Sequence, residues 1–251
     1  MIRVIEKGTM VRQVTPFEAY ALTLKTYLDS YQQKEIGDYL IHLLKKNGYV
    51  PYQYQLDAVR QALSIIESQG GVVVADVVGL GKTIIACAIA RQLGKRGVVI
   101  CPPGLMGDHN KTSGWRMYLE QFELPQWEVR SVGDLEKTAE FVQRVKDIEV
   151  VIIDEVHRFR NQDTQSYELL KNICRDKIVI LLTATPFNNR PGDILALLKL
   201  FIVPKKSTLT LESNLLEKFR AYKSTFDRLS YIKKNYNSPI ADNRAKAEGY
   251  Y

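Results

Sequence analysis

Apolar residues recur along the chain in two rhythms. From Tyr52 to Pro204, short runs of β-branched residues alternate with segments whose apolar positions return every three or four residues. The runs are GVVVA (71–75), GVVIC (97–101), WEVRS (127–131), EVVII (149–153) and KIVILL (177–182). Read as Val/Ile-rich segments without sustained polar alternation, they predict strands buried on both faces of a parallel sheet. The segments GKTIIACAIARQLG (81–94, with Gly94 as stop), DLEKTAEFVQRVK (134–146) and TQSYELLKNIC (164–174) predict helices. Another helix is expected over YQLDAVRQALSIIES (54–68), ahead of the first strand. Strand and helix in alternation predict a doubly wound α/β domain, whose ligands sit where strands end and loops begin.

The flanks carry a different pattern. Residues 17–46 place leucine, tyrosine and isoleucine at helical intervals, so residues 1–50 read as a helical N-terminal extension. Residues 205–251 contain LLEKFRAYKSTFDRLSYIKK (215–234), an amphipathic basic helix, and then a polar tail. The expected division is therefore 1–50, 51–204 and 205–251, with the α/β lobe in the middle.

Composition changes this picture little, and charge refines it. With 45% apolar and 25% charged residues among 251, the chain has the balance of a protein with a packed core. The net charge of +7 is uneven. Residues 205–251 hold ten Lys/Arg against five Asp/Glu, and residues 1–50 hold seven against five. Residues 51–204 hold eighteen of each, so the basic excess sits on the flanks. An acidic partner would meet the flanks first. No apolar run is long enough to span a bilayer, and no secretory leader opens the chain. Cys87, Cys101 and Cys174 lack metal-type spacing and read as reduced thiols of a cytoplasmic protein.

The chemistry is concentrated after two of the predicted strands. DVVGLGKT (76–83) leaves the first strand and enters a helix. It has the Gly-Lys-Thr ending of a phosphate loop, but Asp76 stands where the opening glycine is usual. Gly79 and Gly81 would let the backbone approach phosphate oxygens, assisted by the helix N-terminus. Lys82 would meet the β- and γ-phosphates of ATP, and Thr83 would place its hydroxyl on Mg²⁺. VVIIDEVH (150–157) then sets Asp154 and Glu155 at the end of another strand. A carboxylate there can hold Mg²⁺ while its neighbour orients or deprotonates the attacking water. Each element alone also fits a plain glycine-rich turn or a pair of strand-capping acids. Both on separate strands of one sheet select the catalytic reading.

DVVGLGKT, DEVHRFRN (154–161) and LLTATPFNN (181–189), in this order, resemble motifs I, II and III of superfamily 2 helicase-like ATPases. More narrowly they resemble the Swi/Snf-type double-stranded DNA translocases, whose motif I begins with Asp as D-E-x-G-L-G-K-T. Asp76 is thus that family's form of the loop, which also includes Leu80. The resemblance spans about residues 51–204 and implies a RecA-like P-loop lobe, a parallel sheet with helices on both faces plus helical flanks. It implies ATP and Mg²⁺ as cofactors and the phosphate backbone of duplex DNA as a sequence-independent partner.

Further residues take roles by the same resemblance. Gln55, in PYQYQLDAV (51–59), would hydrogen-bond the adenine edge. Pro102 and Pro103, in VVICPPGLM (98–106), would shape a loop that meets the DNA backbone. Thr183 and Thr185 would link nucleotide state to DNA contacts, with His157 reporting on the γ-phosphate. Arg158 and Arg160 match basic positions of the acidic motif. The family's glutamate after Asp76 is Val77 here. Motifs V and VI are not found, so the resemblance leaves a second RecA-like lobe, with its arginine finger, outside this chain. Residues 205–251 would then begin the region between lobes. The expected setting is the cytoplasm, at the nucleoid if the chain is bacterial. An RNA helicase, a restriction-enzyme motor subunit and a non-hydrolysing nucleic-acid-binding module stand as alternatives.

Overall fold

The computed structural model describes residues 2–5, 11–14, 36–75, 81–159, 161, 164–184, 191–202 and 215–250. Its centre is a parallel sheet of five strands: β3 (Gly71–Ala75), β4 (Gly97–Cys101), β5 (Glu128–Ser131), β6 (Val150–Ile153) and β7 (Ile178–Thr183). They lie in the order β3-β7-β6-β4-β5. The chain crosses from β3 past two places to β4, steps outward to β5, and returns to fill the gap with β6 and β7. The strand that follows the acidic motif therefore inserts between the strand of the phosphate loop and the strand of the acids. Because all five run parallel, their C-terminal ends form one edge.

Period-two alternation explains the layers. Val99, Cys101, Ile152, Ile180 and Leu182 point to one face, which is covered by α1 (Asp38–Lys46), α2 (Gln53–Gln69), α3 (Lys82–Leu93) and α4 (Gly114–Gln121). Val98, Ile100, Val151, Ile153, Val179 and Leu181 point to the other, under α5 (Leu135–Arg144), α6 (Gln165–Cys174) and α7 (Pro191–Leu198). Both faces are dry, so β4 and β6 are apolar throughout and β7 is polar only at its last residue, Thr183. Burying one such side chain contributes about 1.5–3 kcal/mol. Leu170 and Ile173 of α6 and Ile85 and Ile89 of α3 form the facing helix stripes. Helix α6 starts at Thr164, whose hydroxyl accepts from Tyr167 N–H at 3.2 Å, a side-chain cap.

The flanks depart from the sequence reading in three places. Residues 2–5 and 11–14 are not helical: they are β1 (Ile2–Ile5) and β2 (Val11–Val14), an antiparallel pair in which Ile2 faces Val14. IRVI and VRQV are β-branched and too short for a helical stripe. The rest of the expected N-terminal helices, residues 15–35, lies outside the described residues. Helix α1 is not an appendage, since Leu40, Leu43 and Leu44 enter the same core as α2 and α3. At the other end, α8 (Leu215–Asn235) matches the expected basic helix. The polar tail after it contains a further helix, α9 (Ala241–Glu248). This helix folds back on α8, with the Tyr231 and Tyr250 rings edge to face at 5.5 Å and Ala247 buried. Helix α7 packs against α8.

Candidate active site

Four strand ends meet at the carboxyl edge of the sheet. Residues 76–80, including Asp76, Gly79 and Leu80, lie outside the described residues; the loop re-enters at Gly81. Gly81 has φ +81°, and a Cβ there would collide with Gln55 Nε2. Glycine suits the position for its left-handed backbone, and the Gln55 amide lies close against it. Gln55 is itself buried on the first turn of α2. The structure thus places its amide beside the loop backbone at Gly81. Lys82 and Thr83 open α3 and are half-buried. The first amides of that helix have no intrahelical acceptor and face the edge, as an anion site requires.

Asp154 follows β6 directly. Its N–H donates to Ile100 O at 2.8 Å, which extends the ladder to β4 by one residue. The residue is 8% exposed. Trp115 Nε1 donates to Oδ2 at 2.9 Å, and Glu155 N–H donates to Oδ1 at 2.9 Å. Burial raises the Asp154 pKa from its ordinary value. The two donors oppose that shift, the Glu155 charge adds to it, and the Lys82 ammonium lowers it. The Lys82 charge is therefore felt at Asp154, across the strand that separates their loops. Glu155 has φ +52°, in the left-handed region that a residue with a Cβ rarely adopts. Strained backbone of this kind gathers at functional sites. His157 sits in the 3₁₀ turn Val156–Phe159. Its Nδ1 lies 2.9 Å from Glu155 Oε2 but is buried without a well-aligned hydrogen bond, so the contact is one of proximity.

Thr183 ends β7 and is fully buried. It pairs in register with Ala75, the last residue before the loop, so its strand bridges the phosphate loop and the acids. The turn bearing His157 also packs on β7. Thr185 and Arg160 lie outside the described residues. Pro102 is extended after β4 and Pro103 begins a 3₁₀ turn, with Pro103 and Leu105 exposed at the same edge. Lys82, Thr83, Asp154, Glu155, His157 and Thr183 are thus together, Gln55 lies against the loop beside them, and the proline pair flanks them beyond β4.

The donor set fits a hard divalent cation. Asp154 is a desolvated carboxylate that feels the charge of Lys82, the neighbour of Thr83, and Mg²⁺ takes one or two protein oxygens with phosphate and water for the rest. Among the described residues no cluster of three or more His, Cys, Asp or Glu that could hold a metal ion is present. Trp115 is the residue that pattern reading missed. A lone tryptophan in a helix reads as core, and its N–H partner is set only by tertiary contact.

A profile of the SNF2-related domain matches residues 105–221. Residues 105–221 are thus similar to that domain. The matched part holds the acidic and TATP motifs, while the phosphate loop lies before it. The chain is 29% identical over 216 residues to "Uncharacterized ATP-dependent helicase YqhH" of Bacillus subtilis (strain 168), covering 80% of this chain and 38% of that protein. It is 28% identical over 215 residues to "Chromodomain-helicase-DNA-binding protein 1-like" of Danio rerio, covering 72% of this chain and 20% of that one. The chain therefore spans well under half of these curated relatives. The fold is that of the Sulfolobus solfataricus SWI2/SNF2 ATPase core, solved in complex with dsDNA, at TM-score 0.52 and 20% identity over 79% of this chain and 43% of that one. The RecA-like architecture expected of the SNF2-related lobe is thus present, and the resemblance read from the motifs holds. No helix among the described residues is long and apolar enough to cross a membrane.

Proposed function

We propose that this SNF2-related lobe binds ATP as half of an ATP-dependent double-stranded DNA translocase. The observation that carries the reading is the meeting of Lys82 and Thr83 with Asp154 and Glu155 at one sheet edge, with Thr183 on the strand between them. In this reading the first amides of α3 and the Lys82 ammonium bind the polyphosphate. Thr83 and Asp154 hold Mg²⁺, which when bound neutralises developing phosphate charge. Glu155 orients the attacking water and takes its proton. Asp76, Gly79, Leu80 and Gly81 complete the loop, and Gln55 keeps it in place while reaching the base. His157, Thr183 and Thr185 relay nucleotide state to the loop at Pro102 and Pro103, which meets the DNA backbone.

The second wall of the cleft belongs to a second RecA-like lobe that supplies the arginine finger. That part contributes about 10³–10⁵ in rate in other nucleotide hydrolases. The test is steady-state ATP hydrolysis by this chain and by a chain extended through the following lobe, each with duplex DNA, RNA or neither. Hydrolysis near background for the short chain and stimulation by duplex DNA for the long one are expected. Robust DNA-stimulated turnover by the 251-residue chain alone would contradict the two-lobe reading, and stimulation by RNA instead of duplex DNA would overturn the substrate.

A further inference from the structure

Trp115 stands apart from the other buried aromatics in what its N–H meets. It is the largest fully buried side chain, on the first turn of α4, and its indole donates to Asp154 Oδ2 at 2.9 Å. Trp127, the other tryptophan, satisfies its N–H on a backbone carbonyl, Lys95 O at 3.0 Å, away from the acidic motif. A buried indole N–H needs some acceptor, and a carbonyl suffices. At Asp154 the acceptor is instead a carboxylate kept out of water, whose charge makes the bond shorter and stronger than a neutral pair. With Glu155 N–H on Oδ1, each oxygen of Asp154 is gripped by one donor, so the plane of the carboxylate is set from two sides. Each oxygen keeps capacity for one further partner.

Trp115 does not float on its helix. Arg116 N–H donates to Met106 O at 3.1 Å, and Arg116 Nη1 donates to Gly107 O at 2.6 Å. The backbones of Gly107 and Gly114 approach so closely that a Cβ on either would collide with the neighbouring main chain. The loop after β4 and the start of α4 are therefore one interlocked unit, and that unit carries the indole to the carboxylate.

We infer that Trp115 is a positioning residue for the cation site, orienting the Asp154 carboxylate through its indole N–H. This rests on the proposed nucleotide site. Partners that orient a metal-binding group typically change metal affinity by about 10–100-fold when lost.

The test replaces Trp115 in the 251-residue chain by 3-benzothienylalanine, which keeps the ring shape and puts sulfur where the N–H stood. The same replacement at Trp127 is the comparison, and Trp115→Phe is a second variant if the isostere does not fold. Affinity for a fluorescent ATP analogue is measured with Mg²⁺ and with Mg²⁺ chelated. The expected result is unchanged affinity without Mg²⁺ and a gain on adding Mg²⁺ at least about tenfold smaller than in the parent. The Trp127 replacement should keep the full gain. A parental Mg²⁺ gain in the Trp115 variants, or an equal loss from Trp127, would overturn the inference. If the parent chain itself fails to bind the nucleotide with Mg²⁺, the site reading falls and takes the inference with it.

Discussion

The sheet lobe and the C-terminal helices use their residues in opposite ways. In the lobe, the central strands are apolar up to Thr183 at the end of β7, and charge is balanced between residues 51 and 204. Among the described residues its buried polar side chains are few: Gln55, Asp154 and Thr183 gather at one edge, and Thr138 on α5 donates its hydroxyl to Asp134 O at 2.8 Å. Helices α8 and α9 bury only Ala247 among their described side chains; Tyr222, Leu229 and Tyr236 are exposed. They carry a basic excess, and a groove of about 510 Å³ along α8 is lined by Arg220, Lys223, Arg228, Tyr231 and Tyr250 together with Ser224 and one acid, Asp227. One region fixes geometry, and the other offers charge. In the proposed function, chemistry that depends on ångström placement belongs to the first, and long-range attraction to a polyanion belongs to the second.

The largest effect should come from the edge. Glu155→Gln in a DNA-stimulated two-lobe chain should lower turnover by about 10²–10⁴-fold while nucleotide affinity holds. A loss of affinity as large as the loss of turnover would show that Glu155 binds rather than activates. The packing side of the contrast is next. Ile152→Ala leaves a cavity between strand and helices and should cost about 2–5 kcal/mol by denaturant unfolding. Leu229→Ala, at a position 58% exposed on α8, should stay within about 0.5 kcal/mol. Similar costs at the two sites would erase the distinction between the regions.

For the charged region, Arg220→Gln, Lys223→Gln and Arg228→Gln together should flatten the salt dependence of duplex binding. The slope of log affinity against log salt falls by about 0.9 for each phosphate that is no longer neutralised. An unchanged slope would move the DNA-facing charge elsewhere. The smallest effect is chemical silence. Burial pushes the Cys101 thiol up to about 12 and raises Cys87 and Cys174 as well. Ellman's reagent at about pH 8 should therefore leave all three unmodified in the folded chain and titrate three after unfolding. Rapid modification of any one in the native state would mean the lobe opens locally.

Legibility in the sequence followed the same division. GVVVA and GVVIC predicted β3 and β4 residue for residue; β4 is buried at all five positions, while β3, at the end of the strand order, grows exposed toward Ala75. Helices α2, α3, α5 and α6 were legible from their apolar spacing and, for α3, its glycine stop. Helix α4 was not: GWRMYLEQ is short, starts on a glycine, and buries only Trp115 and Leu119. Helix α9 was hidden because ADNRAKAE has almost no apolar face, and its place comes from tertiary contact with α8. At the site, residue types and order pointed to Lys82, Thr83, Asp154 and Glu155. The closeness of Gln55 to Gly81, the left-handed Glu155 and the hold of Trp115 on Asp154 depend on three-dimensional neighbours that no local pattern encodes.

The central claim is that the edge where α3 begins binds the phosphates of a nucleotide. Calorimetric titration of the 251-residue chain with Mg²⁺ and a non-hydrolysable ATP analogue tests it most directly, alongside Lys82→Ala. Removing the ammonium removes a charge-assisted contact worth about 1.5–3 kcal/mol. The account predicts one site per chain in the parent and binding at least about tenfold weaker in the variant. Equal affinity in the two proteins, or no binding by the parent, would contradict it.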